Sequence, residues 1–322
     1  MRQFAKPTIV VSKCLEFDAC RYNGEMIPDV TIRNLQPFVT FIPVCPEVEI
    51  GLGTPRETIR IVEENGENRL VQPSTREDVT EKMEQFSNDF LQTILDVDGF
   101  ILKNRSPSCG TRDVKIYSGF EKAPAKGKGA GLFGGAVVKN FSHLPIEEEG
   151  RLSNFIIREH FFTRLFTIAY YKMIKQNKNM KELVSFQSDN KYLFMAYNQV
   201  KQKELGRIIA NQKNEKIEVV FENYEKTLYE LFMRTPRYTS NVNVCEHIFG
   251  YFKTKLKKQE KDHFIELLQK YAEKKIPLSS LLTILKSWAI RFDEKYLLRQ
   301  TYFEPYPEAL VEISDSGKGR DY

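Results

Sequence analysis

The hydrophobic pattern of this chain changes near residue 150, and that change constrains the fold more than any other feature. Before it, short apolar or β-branched runs alternate with a helical pattern. After it, apolar residues recur at the 3.6-residue spacing of a helix, and strand signals are few. Strand, helix and strand joined by short connections are typical of a mainly parallel sheet. We therefore predict an α/β N-terminal domain, with a mainly parallel sheet and helices, followed by an all-α C-terminal domain.

The length agrees with two domains, because 322 residues is about twice the roughly 150 residues of a typical domain. We place the boundary before an acidic run, giving domains of residues 1–146 and 147–322. The predicted strands are Thr8–Val11, Phe38–Val44, Ile59–Glu63, Asn68–Val71 and Gly99–Leu102, with a helix from Val79 to about Val97. The predicted C-terminal helices are Phe155–Lys175, Tyr192–Ala210, Lys216–Phe232, Val242–Lys257, His263–Lys274 and Leu278–Ile290.

A glycine-rich stretch, Ala123–Gly135, raises the question of a phosphate-binding loop. Such a loop needs a strand before it, a helix after it and a Walker or Rossmann spacing of its glycines. The sequence shows none of these. We predict a mobile loop at this position.

The sequence does not have the features of a membrane or secreted protein. Its longest apolar stretches, such as Gly131–Val138, are far shorter than the roughly 20 residues that span a bilayer. The N-terminus lacks the basic start, apolar core and small-residue cleavage site of a signal peptide. Since 41% of the residues are hydrophobic and 28% charged, the chain can bury cores, and we expect a cytoplasmic protein.

Charge is distributed unevenly between the two halves. Residues 1–150 contain 18 Lys and Arg against 22 Asp and Glu, whereas residues 151–322 contain 30 against 21, which is a net charge of +9. A basic half is consistent with a polyanionic partner. A solvated helical surface rich in lysine would have the same composition, so this alternative stays open.

Three of the five cysteines, Cys14, Cys45 and Cys109, each follow the end of a predicted strand. Ligands collect at the carboxyl ends of the strands in an open α/β sheet, so three thiols from separate loops could meet there. Thiolates in a reducing compartment suit a soft metal or an iron–sulfur cluster. Three protein ligands would leave one coordination position open for substrate. Spacing alone does not separate this site from three ordinary buried cysteines.

Two further candidate residues lie on the same loops as these cysteines. Glu47 lies two residues after Cys45, and Ser106 lies three before Cys109. A carboxylate beside a metal group can act as general base for water, and a hydroxyl can position a substrate heteroatom. Alternatively, they are a surface glutamate and a turn serine.

The front half resembles the thiouracil desulfidase (TudS-type) family over about residues 8–140. The resemblance rests on Val11-Ser12-Lys13-Cys14, Cys20-Arg21-Tyr22-Asn23-Gly24, Pro43-Val44-Cys45-Pro46-Glu47, Gly51–Arg56 and Lys103–Gly110. It implies a [4Fe-4S] cluster with one iron not bound by protein. Cys14, Cys45 and Cys109 would be the metal ligands, and Glu47 and Ser106 the catalytic residues.

The back half resembles a YbgA-type helical domain over about residues 147–310. The resemblance rests on Glu147–Leu152, Arg158–Phe162, Lys191–Ala196, Glu204-Leu205-Gly206, His247–Lys253, Leu298-Arg299-Gln300 and Tyr302 to Pro307. The tandem arrangement is similar to the RNA-acting (RudS-type) desulfidases. It implies non-redox hydrolysis of 4-thiouridine in tRNA to uridine and hydrosulfide, with the helical domain binding RNA.

Basic and aromatic residues are interleaved in the helical half, at Lys191–Phe194 and at Tyr251–Lys258. Lysine can neutralise phosphates, and aromatic rings can stack on exposed bases. The alternative is that Tyr251, Phe252 and Leu256 belong to the core while the lysines form a solvated face. Cys245, in this half, is expected to lie away from the other cysteines.

Two other functions remain open from the sequence. One is a small-molecule thiouracil desulfidase whose helical half makes only subunit contacts. The other is a non-catalytic iron–sulfur sensor that binds nucleic acid, in which Cys20 is the fourth ligand and closes the cluster.

Overall fold

The computed structural model describes residues 3–94, 96–120, 124–212 and 214–312. These residues form two compact units. The first contains the described parts of Met1–Ala169 and of the segment from Pro307 onward, and the second is Tyr170–Tyr306.

The first unit contains the strands and the first six helices. The strands are β1 (Thr8–Ser12), β2 (Thr40–Val44), β3 (Arg60–Glu64), β4 (Glu67–Gln72), β5 (Glu77–Asp78), β6 (Gly99–Leu102), β7 (Val114–Tyr117), β8 (Ala125–Gly129) and β9 (Ile146–Glu148). The helices are α1 (Val30–Leu35), α2 (Pro46–Glu49), α3 (Thr80–Thr93), α4 (Leu132–Phe141), α5 (Glu149–Leu152) and α6 (Phe155–Asn177), the last of which continues into the second unit.

The central sheet has the strand order β2-β1-β6-β9, and every neighbouring pair is parallel. Val10 of β1 lies between Ile42 of β2 and Phe100 of β6. Ile9, Val10 and Val11 are fully buried, as expected for a parallel sheet covered on both faces. From β1 the chain continues to β2 on one side of β1, and β6 later pairs on the other side of β1. The strand order therefore reverses at β1, and ligands bind at such topological switch points in α/β folds. The predicted mainly parallel sheet is confirmed.

A second sheet, of order β5-β4-β3-β7-β8, combines three antiparallel pairs with one parallel pair. The β3–β4 hairpin turns at Asn65 and Gly66, both of which have positive φ, as type I′ hairpin turns require. Its two strands correspond to the strands predicted from the sequence at Ile59–Glu63 and Asn68–Val71.

The prediction of a mobile loop at 123–135 is wrong for the residues that the structure describes. This segment contains the strand β8 and the beginning of helix α4. A Cβ atom on Gly131 would lie 2.5 Å from the carbonyl oxygen of Ser108, and one on Gly134 would overlap the carbonyl oxygens of Cys109 and Gly110. The glycines allow the helix to approach the Cys109 loop. Ala123 lies outside the described residues.

The second unit is helical, which confirms the predicted all-α half. After the end of α6 it contains α7 (Met180–Asp189), α8 (Lys191–Tyr197), α9 (Gln199–Ala210), α10 (Ile217–Leu231), α11 (Tyr238–Gly250), α12 (Lys258–Ala272), α13 (Leu278–Arg291), α14 (Lys295–Leu298) and a 3-10 turn at Thr301–Phe303. Another 3-10 turn, Glu308–Leu310, belongs to the first unit. The single helix predicted over 192–210 is two helices, because the Asn198 side chain accepts the amides of Val200 and Lys201 and starts a new helix.

The segment after residue 146 is hydrogen-bonded within the first unit. β9 pairs with β6, and the Glu148 carboxylate accepts hydrogen bonds from the amides of Thr111 and Arg112. The two compact units divide between Ala169 and Tyr170. The functional boundary at 146/147 stays a prediction. Within the residues described here, no helix is long and apolar enough to cross a membrane.

Candidate active site

The three predicted ligand cysteines follow three adjacent parallel strands. Cys14 lies just past β1, Cys45 directly follows β2, and Cys109 lies on the loop after β6. These strands are neighbours in the order β2-β1-β6, so their carboxyl ends open onto the same edge of the sheet. The fold therefore brings together the loops that the sequence had singled out.

The thiols interact electrostatically, which shows that they share one region. Burial and, to a smaller extent, the neighbouring Cys45 thiol raise the pKa of Cys14 to about 12. Burial also raises the pKa of Cys109, while a hydrogen bond from Ser12 acts in the opposite direction. Cys14, Glu47 and Cys45 add to the rise at Cys109.

Cys20 lies beside this group as well. The carbonyl oxygen of Cys20 is 3.9 Å from the sulfur of Cys45. Burial raises the pKa of the Cys20 thiol to about 12, with further contributions from Cys45 and Cys14. The alternative in which Cys20 is a fourth ligand therefore stays open.

Cys245 lies in a different unit, in the core of the helical half, with its sulfur 3.9 Å from the hydroxyl of Tyr302.

The donor set fits an iron–sulfur group by its chemistry. Buried thiols that repel one another when ionised are stabilised by a soft cationic group, and thiolate is the ligand of such clusters. Across the described ranges, no three His, Cys, Asp or Glu side chains are arranged to hold a single metal ion.

The loop that carries Cys109 is held by Ser106 and by α4. The Ser106 hydroxyl oxygen accepts the amides of Cys109 at 3.1 Å and Ser108 at 3.3 Å. The amide of Gly134 donates to the carbonyl of Ser108 at 2.9 Å. These bonds fix the direction in which the Cys109 side chain leaves the loop.

Glu47 lies in the first turn of α2, and both of its carboxylate oxygens are hydrogen-bonded. Oε1 accepts from the Ser108 hydroxyl at 2.6 Å, and the Ser106 hydroxyl is 3.5 Å away. Oε2 accepts from Arg56 Nε at 2.9 Å and also from Arg56 Nη2. The orientation of the carboxylate is therefore set from both sides.

Arg56 connects this carboxylate to the cysteine loops. Its guanidinium donates to the carbonyl oxygens of Cys20 and Gly53, each at 2.9 Å, in addition to Glu47. The Arg56 side chain is only 4% exposed. A planar guanidinium with five donors can hold several acceptors in a fixed arrangement.

Sequence reasoning assigned no role to Arg56 or Ser108. Both lie inside motifs that carry the family resemblance, and a second hydroxyl two residues after Ser106 was a signal that could have been used. The hydroxyls of Ser106 and Ser108 are 2.9 Å apart, so they form a hydrogen-bonded chain ending on Glu47. A carboxylate with attached hydroxyls can accept a proton from water and orient the groups that carry it.

A second polar group borders the Cys14 side of the site. The Ser12 hydroxyl accepts the amide of Lys103 at 2.9 Å. The ammonium of Lys103 pairs with Glu149, whose other oxygen accepts the amide of Asn104 at 2.7 Å. Lys103 lowers the pKa of Cys14, although burial outweighs it.

Two family models match the chain. Residues 9–149 match the model described as 2-thiouracil desulfurase, and residues 191–307 match a protein family of unknown function, DUF1722. These matches fall on the two halves whose motifs predicted them, and they confirm both resemblances.

Curated relatives cover the same two regions. The uncharacterized protein YbbK of Bacillus subtilis (strain 168) is 36% identical over 118 residues, which is 34% of this chain and 77% of YbbK. The uncharacterized protein YbgA of Escherichia coli (strain K12) is 22% identical over 156 residues, which is 48% of this chain and 92% of YbgA. A solved structure named as the [4Fe-4S]-dependent thiouracil desulfidase TudS is 26% identical, covering 46% of this chain and 93% of that one, with a TM-score of 0.37.

Proposed function

This chain belongs to the 2-thiouracil desulfurase family, and from that membership we propose that it removes the sulfur of 4-thiouridine in tRNA by hydrolysis. The family supports a desulfidase. The tRNA substrate is supported by the second match, since a YbgA-type domain follows the desulfidase domain as in the RNA-acting desulfidases. It is also supported by the net charge of +9 on residues 151–322. The reduced thiols that this chemistry needs persist in the cytoplasm.

Cys14, Cys45 and Cys109 would hold a [4Fe-4S] cluster with one iron not bound by protein. When bound, that group supplies a Lewis acid for the sulfur of a thiocarbonyl. The supporting observation is that the three loops open at one sheet edge and their thiols interact.

Glu47 is the general base. A water oxygen bonds to the thiocarbonyl carbon as Glu47 accepts a proton from that water, and the carbon–sulfur bond then breaks. Water and thiouridine thus become uridine and hydrosulfide plus a proton, with no net electron transfer. The single observation that carries this role is the placement of Glu47 among the cysteines, with its carboxylate held by Arg56 and Ser108.

Ser106 has two roles in this proposal. Its oxygen orders the Cys109 loop by accepting two amides. Its hydroxyl, through Ser108, belongs to the chain of hydrogen bonds that reaches Glu47, so it can position the pyrimidine or pass a proton.

A desulfidase acting on free thiolated pyrimidines is the second candidate, because the matching family is described by 2-thiouracil. A non-catalytic sensor is the third, because Cys20 lies beside Cys45. Spectra of anaerobically purified protein with and without a thiolated pyrimidine separate the third from the other two, since a closed cluster would not respond to substrate.

The deciding experiment is liquid chromatography of nucleosides from 4-thiouridine-containing tRNA incubated with anaerobically reconstituted protein. We expect 4-thiouridine to fall and uridine to rise by the same amount, with hydrosulfide released. Protein without the cluster is the control. Turnover of free 4-thiouracil with none on tRNA would instead establish the second candidate.

A further inference from the structure

Residues 251–258, which are the turn between α11 and α12 together with the first residue of α12, present an aromatic ring and lysines to solvent. Phe252 and Leu256 are buried, and Phe252 packs against Trp288. Tyr251 and the lysines of the turn are exposed. The core alternative raised from the sequence is therefore right for Phe252 and Leu256 and wrong for Tyr251. We call residues 251–258 the Tyr251 turn.

The ring of Tyr251 is held in position by two other tyrosines. It stacks on Tyr296 with ring centroids 6.2 Å apart and 22° between the planes. Its hydroxyl oxygen accepts a hydrogen bond from the hydroxyl of buried Tyr192 at 3.3 Å. Even so, 38% of Tyr251 remains exposed. A ring that is already ordered loses little conformational entropy when a ligand stacks on it.

The lysines of the turn are mostly unneutralised. Lys255 pairs with Glu294. In the part of the chain that the structure describes, Lys253, Lys257 and Lys258 form no ion pair within 4.0 Å. Lys257 interacts electrostatically with Glu260, whose own ion pair is with Arg291 on α13.

The surroundings of the ring add charge of both signs. Lys191 lies 5.4 Å from the ring of Tyr192. Asp189 lies 3.7 Å from Arg299, and Asp293 lies 3.9 Å from Lys295. Since these two carboxylates are paired and Lys255 is neutralised by Glu294, the available charges of this surface are those of Lys191, Lys253, Lys257 and Lys258.

We propose that the Tyr251 turn binds an unstacked nucleotide of RNA. The base stacks on Tyr251, and Lys253, Lys257 and Lys258 neutralise the flanking phosphates. Single-stranded nucleic acid is bound by aromatic rings on which bases stack and by cationic side chains that contact phosphates. Among the described residues, the Tyr251 turn combines an ordered ring with lysines that form no ion pair, one of which, Lys253, lies 5.7 Å from the ring of Phe249. The inference rests on the proposed function, in which RNA is the substrate, and it names the surface that holds this RNA.

The first test changes the ring in the full chain and measures tRNA affinity by fluorescence anisotropy. We expect Tyr251→Leu to weaken binding about tenfold, since it keeps apolar bulk but removes the stacking face. Tyr251→Phe should restore most of the affinity. The matched control is Tyr238→Leu, because Tyr238 is 39% exposed and begins the helix that ends beside Tyr251, about 20 Å away.

The second test removes charge without touching the ring. Changing Lys253, Lys257 and Lys258 to Gln should reduce the slope of log affinity against log salt by about 2 to 3, since each phosphate contact contributes about 0.7 to 0.9. The control changes Lys181, Lys203 and Lys226, three exposed lysines of the same unit, and should alter the slope less. If both variants changed the slope by the same amount, binding would depend on the overall charge of the unit and the Tyr251 turn would not be the binding surface.

The outcomes separate the surface from the function. If wild-type protein desulfurises tRNA but Tyr251→Leu and Tyr238→Leu bind it equally well, the surface is wrong and the function stands. If wild-type protein neither binds nor desulfurises tRNA, both are wrong. A fully paired RNA duplex has no free base to stack on Tyr251. The proposal would therefore also be overturned if Tyr251→Leu lost as much affinity for such a duplex as for tRNA.

Discussion

Arg56 and Glu47 are joined by two hydrogen bonds from one guanidinium to one carboxylate oxygen, with Nε of Arg56 2.9 Å from Oε2 of Glu47. The arginine is buried and also binds the Cys20 carbonyl. The orientation of Glu47 is thus tied to the cysteine loops, so a base located there has its direction set before substrate arrives.

Replacing Glu47 by Gln keeps the shape of the side chain but removes the carboxylate. We expect the rate to fall by about a hundredfold to ten-thousandfold, the usual cost of losing a general base. The cluster spectrum and its response to substrate should remain, because the cysteines are unchanged. Single-turnover release of uridine is the measurement, and Glu49→Gln, an exposed neighbour on α2, is the control. Wild-type turnover in Glu47→Gln with its cluster intact would mean that another group activates the water.

Replacing Arg56 by Lys keeps a positive charge but loses the planar set of donors. One ammonium cannot hold Glu47, Cys20 and Gly53 together. We expect kcat to fall about ten- to hundredfold through misplacement of the base, with KM changed little. Arg56→Gln should in addition lower the free energy of unfolding by about 1–3 kcal/mol, since buried acceptors lose their donor. An unchanged kcat in Arg56→Lys would contradict a positioning role.

Two serine variants should behave differently. Ser108→Ala removes the 2.6 Å hydrogen bond to Glu47 and should lower kcat with the cluster retained. Ser106→Ala leaves the amides of Cys109 and Ser108 without their acceptor. It should therefore lower cluster content and weaken substrate binding, with a milder loss of rate than Glu47→Gln. Iron and sulfide analysis, together with kinetics, checks both variants. If Ser106→Ala and Ser108→Ala had the same cluster content and the same rate, the two serines would not have the separate roles assigned to them.

Cysteine variants test the ligand set. Cys45→Ser should abolish the absorption of the reconstituted cluster, as should the same change at Cys14 or Cys109. The control is Cys245→Ser, which lies in the helical unit and should reconstitute normally. Cys20→Ser separates the alternatives, since a three-ligand site should keep its cluster. Loss of the cluster in Cys20→Ser, with its fold intact by circular dichroism, would favour the closed, four-ligand site.

A pair of glycine variants tests the packing of α4 against the Cys109 loop. A Cβ on Gly134 would overlap the backbone oxygens of Cys109 and Gly110, whereas the nearest atom to a Cβ on Gly135 is Ala130 Cβ at 3.4 Å. We expect Gly134→Ala to lower both stability and cluster content. Gly135→Ala should be neutral or stabilising by up to about 1 kcal/mol, the helix-propensity difference. Thermal unfolding and iron content distinguish the two variants. If both variants had the same stability and the same iron content, the Cys109 loop would be able to move away from α4 without a loss of stability.

Local patterns were sufficient for the elements and for the approximate place of the site. The 3.6-residue spacing in the back half and the apolar runs of the front half predicted most helices and strands, because burial of one face depends on spacing along the chain. The position of Cys14, Cys45 and Cys109 after strands predicted that their loops meet, since parallel strands share an edge for their carboxyl ends.

The sequence by itself thus determined the class of each half, the central parallel sheet and the candidate ligands. Only the tertiary structure decided the second sheet, the use of Gly131 and Gly134 as close-packing points, and the roles of Arg56 and Ser108. The physical reason is distance along the chain: Ser108 reaches Glu47 across 61 residues, and no periodicity encodes a hydrogen bond of that span. Such contacts depend on how strands are ordered and on which loops they bring together, and these follow from the packing of the whole unit.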